Sequence, residues 1–232
     1  MKQVGFALAV LLSLAGCATQ RAVDEKAVEA ASCRTDLASM REKSMADLDA
    51  CKEAGKEAHT SFLKDVEVGV QQILDLKSME QQLREQLKNE IGAKDVEIER
   101  LRSQLSVRVM DRILFKSGSA DILPGGLGVL GKVAGVIANA KETIRVEGHT
   151  DDVPIGPDLK KKYFSNWELS GARASSVVRY FQFHQHIDPA RMEVVGFSEY
   201  RPVAPNDKQV DRQRNRRVEI VLTPWKPEAG SR

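Results

Sequence analysis

Two short segments of this chain combine residue types that could hold a small charged ligand. The first is GHTD at residues 148–151, where an alternating apolar pattern predicts that a strand ends and a loop opens. The carboxylate of Asp151 could accept hydrogen bonds from an ammonium group. The second is SNWE at residues 165–168, where Ser followed three residues later by Glu predicts a capping box and a helix start. The free N–H groups of a helix start favour an anion, such as a carboxylate.

An arginine follows on the same predicted helix. Arg173 lies about two turns beyond the helix start, and a guanidinium can bind a carboxylate through two parallel hydrogen bonds. Other chemistry finds less support. His149 stands beside Asp151 and Asp152, but no HxH or HExxH partner accompanies it, so we expect no metal and no cofactor. Cys33 and Cys51 lie in the predicted spacer described below and not near the site around His149, which argues against a cysteine nucleophile.

Composition narrows the classes of partner. The 232 residues carry a formal net charge of +2, with 29% charged and 5% aromatic residues. A charge this close to zero gives no electrostatic signal for nucleic acid, so we expect no nucleic-acid partner. The low aromatic content indicates that part of the chain has no globular core of its own.

The N-terminus has the pattern of an export signal. One Lys, an apolar run from Val4 to Leu14 and then small residues predict a signal peptide over residues 1–16, too short to span a membrane. The next motif, LAGC at residues 14–17, resembles the lipobox of bacterial lipoproteins. This resemblance implies cleavage before Cys17, lipid attachment to Cys17 and a lipidated N-terminus over residues 17–21. Ala18, rather than Asp, implies an outer-membrane location that faces the periplasm.

The middle of the chain predicts a helical spacer over residues 22–105. It contains no Pro and is rich in strong helix formers. From Val66 onward, apolar residues recur at intervals of three and four, ending with Ile98, Leu101 and Leu105, as in an imperfect coiled coil. A homodimer through a parallel coiled coil, a helical hairpin and a single helix remain alternatives. Gly55 and the polar residues after it predict an interruption.

Two further cysteines fall in this spacer. Cys33 and Cys51 are 18 residues apart, about 27 Å along a straight helix at 1.5 Å per residue, so they cannot pair within it. Pairing between two parallel chains and two unpaired small residues on a helix are the two readings that remain.

Residues 106–225 predict a folded domain. The order is strand, helix, strand, helix, strand, a short helix and a last strand, with the first strand running from Val107 to Phe115. This order indicates an α/β sandwich, in which helices cover one face of a mixed sheet. Residues 226–232 are expected to form a disordered tail.

Five segments of this domain carry a family resemblance. ILFKSGSADILP, VEGHTDDVP, NWELSGARASSVVRYF, VVGFSEYRPVAPN and RQRNRRVEIVL resemble, in order, the OmpA-like peptidoglycan-associated domain, which also occurs in Pal and in the flagellar stator protein MotB. The resemblance covers about half of the chain. It implies non-covalent binding to peptidoglycan through the meso-diaminopimelate of the stem peptide. That residue carries a free ammonium and a carboxylate on its distal carbon.

The resemblance also assigns residues. Asp151 and Arg173 become the principal ligand pair, with Thr150, Asn166, Phe115 and Lys116 as secondary contacts. Without the five motifs, Asp151 would be read as a loop acid and Arg173 as a surface arginine. The arginines of Asn215-Arg216-Arg217 are interpreted as structural or as part of the rim. Trp167 could cover the ligand or pack at the helix entry.

Three functions follow from these patterns. The first is a lipoprotein that tethers the outer membrane to the wall without turnover. The second is a MotB-like component of a motility or envelope complex, favoured by the long segment DDVPIGPDLKKKYFSNWELS, although the proton-carrying Asp and membrane helix of a stator are missing. The third, a wall hydrolase, needs two separated carboxylates, which adjacent Asp151 and Asp152 do not provide.

Overall fold

The computed structural model describes residues 4–101 and 103–224, and side chains for residue 21 and from residue 23 onward within those ranges. The side chains of the predicted signal segment and of Cys17, and the predicted tail, lie outside the described residues. The chain divides into two compact units, residues 1–66 and 67–232. Among the helices described, none has the length and apolarity that crossing a membrane requires.

The N-terminal part is one long helix. Helix α1 covers Val4–Gln86, which confirms the predicted helical segment. Gly55 does not interrupt it, because the surrounding Ala, Glu and Lys residues favour helix strongly enough to offset one glycine. Every side chain that the structure describes between residues 21 and 66 is exposed.

The predicted end of the helical segment at residue 105 is wrong. After α1 come the short helix α2 (Lys88–Gly92) and two strands, β1 (Val96–Leu101) and β2 (Gln104–Met110). Lys94 adopts a left-handed backbone conformation with φ of 59°, which turns the chain between helix and strand. The segment VEIERL also alternates with a period of two, so its apolar residues fitted a helical spacing by coincidence.

The remaining elements build a mixed α/β sheet, as expected. They are α3 (Asp111–Leu114), α4 (Pro124–Ile137), β3 (Thr143–His149), α5 (Asn166–Gln185), β4 (Met192–Gly196), α6 (Gln209–Asn215) and β5 (Arg217–Thr223). The strand order is β1-β2-β5-β3-β4, with β3 and β4 parallel and the other neighbours antiparallel. The strand predicted through Phe115 is wrong in its second half, because residues 111–114 form a helical turn.

One apolar face of the sheet forms the core. Alternate residues of neighbouring strands lie side by side there, as Leu105, Leu222 and Ile144 do in register. Leu83 and Leu87 of the α1–α2 region are fully buried in the same cluster, together with residues of α4 and α5. The last turns of α1 therefore belong to this fold and are not a detached spacer.

The topology brings three chain segments to one edge of the sheet. Strands β2 and β3 both run antiparallel to β5, so their carboxyl ends meet the start of β5. Asp111 follows β2, Asp151 follows β3 and Arg216 precedes β5. This arrangement predicts a cluster of opposite charges at that edge.

Helix α5 supplies a fourth charge. It packs so closely on β3 that a Cβ at Gly148 would lie 2.1 Å from the Ser170 carbonyl oxygen, so only glycine fits. The predicted capping box is confirmed: Ser165 accepts from the helix N-terminus and the Glu168 carboxylate accepts from the Ser165 backbone N–H at 2.8 Å. Close packing and the fixed helix start together position Arg173 beside the sheet edge.

Candidate functional site

A cleft of about 530 Å³ opens at this edge. The α3 turn, the loop after β3 and the first two turns of α5 form its walls. The residues that line it are Asp111, Arg112, Phe115, Ser117, Gly118, Thr150, Asp151, Val153, Pro154, Ile155, Gly156, Leu159, Asn166, Leu169, Arg173 and Arg216. It is large enough for one amino-acid-sized group with its neighbours.

Asp151 is buried and bound from two sides. Its Oδ2 forms an ion pair with the Arg216 guanidinium, and its Oδ1 accepts from the backbone N–H of Val153 at 3.3 Å. The Asn166 amide donates to the carbonyl oxygens of Val153 at 3.1 Å and of Asp151 at 3.4 Å. The helix start of α5 therefore fixes the loop that presents this carboxylate.

Arg173 is buried on the opposite wall. Its Nη1 lies 3.1 Å from Oδ1 of Asp111, and its Nε donates to the Ser119 carbonyl oxygen at 3.0 Å. The guanidinium carbon sits 5.2 Å from the centre of the Phe115 ring, a cation–π distance. Asp111 also lies within 3.7 Å of Arg216, so the two ion pairs join into one network.

The network of Asp111, Asp151, Arg173 and Arg216 is called the charge quartet below. Its two carboxylates and two guanidiniums sum to zero charge, so a ligand group with one ammonium and one carboxylate can join it without leaving a net buried charge. Burial raises the pKa of the Asp111 carboxyl above its ordinary value, against the attraction of Arg173 and Arg216. Burial likewise lowers the pKa of the Arg173 guanidinium, which Asp111 opposes.

Two buried polar atoms of the cleft wall have no hydrogen-bond partner among the described residues. The Thr150 hydroxyl oxygen is buried and has no hydrogen-bond partner among the described residues. Asp111 Oδ1 forms an ion pair with Arg173, but among the described residues no donor forms a hydrogen bond to it. Buried polar atoms in folded proteins nearly always have partners, so these two residues of the cleft wall have room for a further hydrogen bond.

The structure brings together five of the six predicted contacts. Asp151, Arg173, Thr150, Asn166 and Phe115 all line the cleft. The sixth, Lys116, is exposed and does not line it. Trp167 also lies off the cleft wall and stacks on Tyr200, with ring centroids 5.3 Å apart.

Two members of the charge quartet were missed from sequence. Asp111 was placed inside a predicted strand, and Arg216 was interpreted as structural or as part of the rim. A signal was present in both cases: Asp111 follows β2 as Asp151 follows β3, and Arg216 directly precedes the strand between them. Across the described residues, no group of three or more His, Cys, Asp or Glu side chains is arranged to hold a metal ion.

Comparison with known proteins decides the family. The OmpA family model matches residues 114–216, which span the cleft from the α3 turn to the start of β5. Residues 114–216 are an OmpA family domain. Asp111, three residues before this segment, completes its charge quartet.

Three similar proteins extend the comparison. A solved MotB-like protein from Desulfovibrio vulgaris is 27% identical with a TM-score of 0.62, covering 70% of this chain and 99% of that one. The cell wall anchor of the T6SS from Pseudomonas aeruginosa is 33% identical with a TM-score of 0.57, covering 62% and 97%. The Escherichia coli protein named "Probable lipoprotein YiaD" is 31% identical over 139 residues, 60% of each chain. The chain spans about half the length of the first curated relatives that it matches.

Proposed function

We propose that this chain is an outer-membrane lipoprotein that binds peptidoglycan without turnover, through the meso-diaminopimelate of the stem peptide. The charge quartet carries the proposal. The ligand's ammonium would bind Asp151, and its distal carboxylate would bind Arg173 in the place that Asp111 now partly fills. Thr150 would donate or accept the hydrogen bond that it lacks in the empty cleft.

The membrane half of the proposal rests on other residues. Lipid on Cys17 would anchor the N-terminus, since several acyl chains on one residue hold a protein firmly where a single chain does not. The similarity to the lipoprotein YiaD supports this assignment. Labelled fatty acid should be incorporated into the wild-type chain and not into the Cys17→Ser variant. Incorporation into both proteins would show that Cys17 is not the site of lipid attachment.

Sedimentation with purified wall tests the binding half. The full chain in mild detergent is mixed with diaminopimelate-type peptidoglycan and centrifuged. Wild type should pellet with the wall, whereas Asp151→Ala and Arg173→Ala should stay in the supernatant. Asp152→Ala is the matched control, because this exposed carboxylate is the next residue along and does not line the cleft. A soluble wild type, or equal pelleting of all four proteins, would refute wall binding at this site.

A second candidate is a MotB-like component of a motility or envelope complex, anchored to the wall by the same cleft. The MotB-like structure supports it, because that match covers 70% of this chain and so extends beyond the family segment. Affinity purification of the full chain from envelope extracts separates the two. Specific recovery of stator-type or division proteins favours the complex, and recovery of wall fragments alone favours the tether.

A further inference from the structure

The first compact unit, residues 1–66, carries an uncharged stripe along its helix. The stripe recurs at steps of four and three residues, and every member is apolar or small although Lys, Arg, Asp and Glu crowd the positions between. Nine steps cover the 33 residues from 33 to 66, about 3.7 residues per step, so the stripe stays on one side of a nearly straight helix. Its members are Cys33, Leu37, Met40, Ser44, Leu48, Cys51, Gly55, Ala58, Phe62 and Val66.

Both cysteines of this unit's described part lie on the stripe. Their separation of 18 residues corresponds to five whole turns at 3.6 residues per turn, so Cys33 and Cys51 point to the same side. Both thiols are free and exposed. Two thiols on one side of the helix, within an uncharged stripe, indicate that this side packs against another helix.

Among the described side chains of its own unit, residue 21 and residues 23–66, none is buried by packing against the helix. Leu37, Met40 and Phe62 are 68%, 70% and 63% exposed, and long helices in proteins gain most of their stability from packing an apolar side. A second helix of the same kind would cover these side chains.

We propose that two copies of this chain pair in parallel and in register along the uncharged stripe, with Cys33 and Cys51 each in a disulfide to its own counterpart. Helix axes about 9–10 Å apart, with Cα atoms about 2.3 Å from each axis, place two facing Cα atoms about 5 Å apart. That separation is within the range that a disulfide bridges.

The sequence disfavours the antiparallel arrangement that would join Cys33 to Cys51. If Cys33 faced Cys51 of the second copy, residue numbers of facing positions would sum to 84. Leu37 would then face Asp47, Leu48 would face Asp36, and Gly55 would face Glu29. Each of these three contacts would bury an unpaired carboxylate, which would lower the stability of the dimer. Parallel pairing in register places all ten uncharged positions against themselves.

The covalent step is a two-electron oxidation. Two facing thiols form one S–S bond and release two protons, while their two electrons reduce a disulfide oxidant to two thiols. In the cell this step needs an oxidising compartment, so it rests on the export proposed above. The non-covalent pairing does not depend on export or on wall binding.

Cysteine variants of the full chain, compared in a Cys17→Ser background that serves as wild type here and leaves Cys33 and Cys51 as the only thiols, test the direction of pairing in mild detergent with oxidised glutathione. On a non-reducing gel, wild type, Cys33→Ser and Cys51→Ser should all run as linked dimers, because each single variant keeps one homotypic pair. Cys33→Ser/Cys51→Ser should run as a single chain. Loss of the linked dimer in both single variants would mean antiparallel Cys33–Cys51 pairing and overturn the proposal.

A matched methionine pair tests the stripe itself. Met40 lies on the stripe, and Met45, five residues later, lies about 140° around the helix at 58% exposure. In the Cys33→Ser/Cys51→Ser background, sedimentation should give the mass of two chains for Met45→Glu and of one chain for Met40→Glu. A one-chain mass for the background protein, or equal masses for the two methionine variants, would overturn the pairing.

Discussion

Two charged networks sit on the same sheet and behave differently. On the polar face, Glu219 accepts hydrogen bonds from Arg217 at 2.6 Å, Arg108 at 3.1 Å and Ser106 at 3.1 Å. Burial raises the pKa of the Glu219 carboxyl, but Arg217 and Arg108 outweigh burial and lower it to about 2. In the charge quartet, burial prevails and the pKa of Asp111 is raised. The Glu219 carboxylate accepts hydrogen bonds from three side chains, whereas Asp111 Oδ1 of the quartet, beside the cleft, accepts none from the described residues.

We propose that this difference separates charges that stabilise the fold from charges that bind a ligand. A carboxylate whose partners outweigh its burial stabilises the fold. A carboxylate whose partners do not fully compensate for burial costs stability, which a ligand can recover when it binds. The comparison therefore predicts opposite outcomes for stability and binding when each network is altered.

The largest expected effect is on stability. Glu219→Gln should lower the free energy of unfolding at pH 7 by about 3 kcal/mol, because it leaves Arg217 and Arg108 without their shared carboxylate. Asp111→Asn should cost less, because burial disfavours the charge of the carboxylate that it removes, and this partly offsets the ion pair that Arg173 loses. Denaturant unfolding of both variants measures the difference, and an equal loss in the two would break the comparison.

The pH dependence of stability is the next effect. The pKa of Glu219 is depressed from 4.5 in the unfolded chain to about 2 in the folded one, so its contribution is complete above about pH 4.5 and is lost as the pH falls towards 2. The stability gap between wild type and Glu219→Gln should therefore narrow between pH 5 and pH 3. Burial also lowers the pKa of His149, and the Glu219 carboxylate opposes this lowering, so the titration of His149 is measured by NMR in both proteins and its contribution is subtracted from the gap. A gap that stays constant over this range would contradict the assigned role.

The smallest effect on stability comes from Thr150→Val. This change replaces a buried hydroxyl that has no partner among the described residues with a methyl of the same size. Stability should stay equal or rise by about 1 kcal/mol, since a desolvated hydroxyl is removed. Wall binding should weaken by about tenfold if the hydroxyl bonds the ligand. Lower stability with unchanged binding would make Thr150 a structural residue.

The sequence predicted what depends on local chemistry. The capping box at Ser165 and Glu168, the strand before Asp151 and the helix that carries Arg173 all follow from patterns a few residues long. The mixed sheet followed from the order of elements and the family resemblance. These features led to five of the six predicted cleft residues.

What was missed depends on tertiary pairing. Strand β1 was taken for helix because Ile98, Leu101 and Leu105 fit a helical spacing, and only the pairing with β2 shows that Val96 and Ile98 share one face of a strand. Asp111 was hidden by a strand predicted five residues too long. Arg216 enters the cleft because β5 lies between β2 and β3, a strand order that no local pattern of the sequence reveals. Lys116 was predicted to contact the ligand because it follows Phe115 in the sequence, but it is exposed and does not line the cleft.

The most direct test of the central claim is a calorimetric titration of the full chain with two soluble stem peptides. One carries meso-diaminopimelate and the other carries lysine, which has the ammonium but lacks the distal carboxylate. The charge quartet predicts binding of the diaminopimelate peptide and at least about tenfold weaker binding of the lysine peptide, since Arg173 loses its partner. Equal affinity for the two peptides would contradict recognition through the quartet.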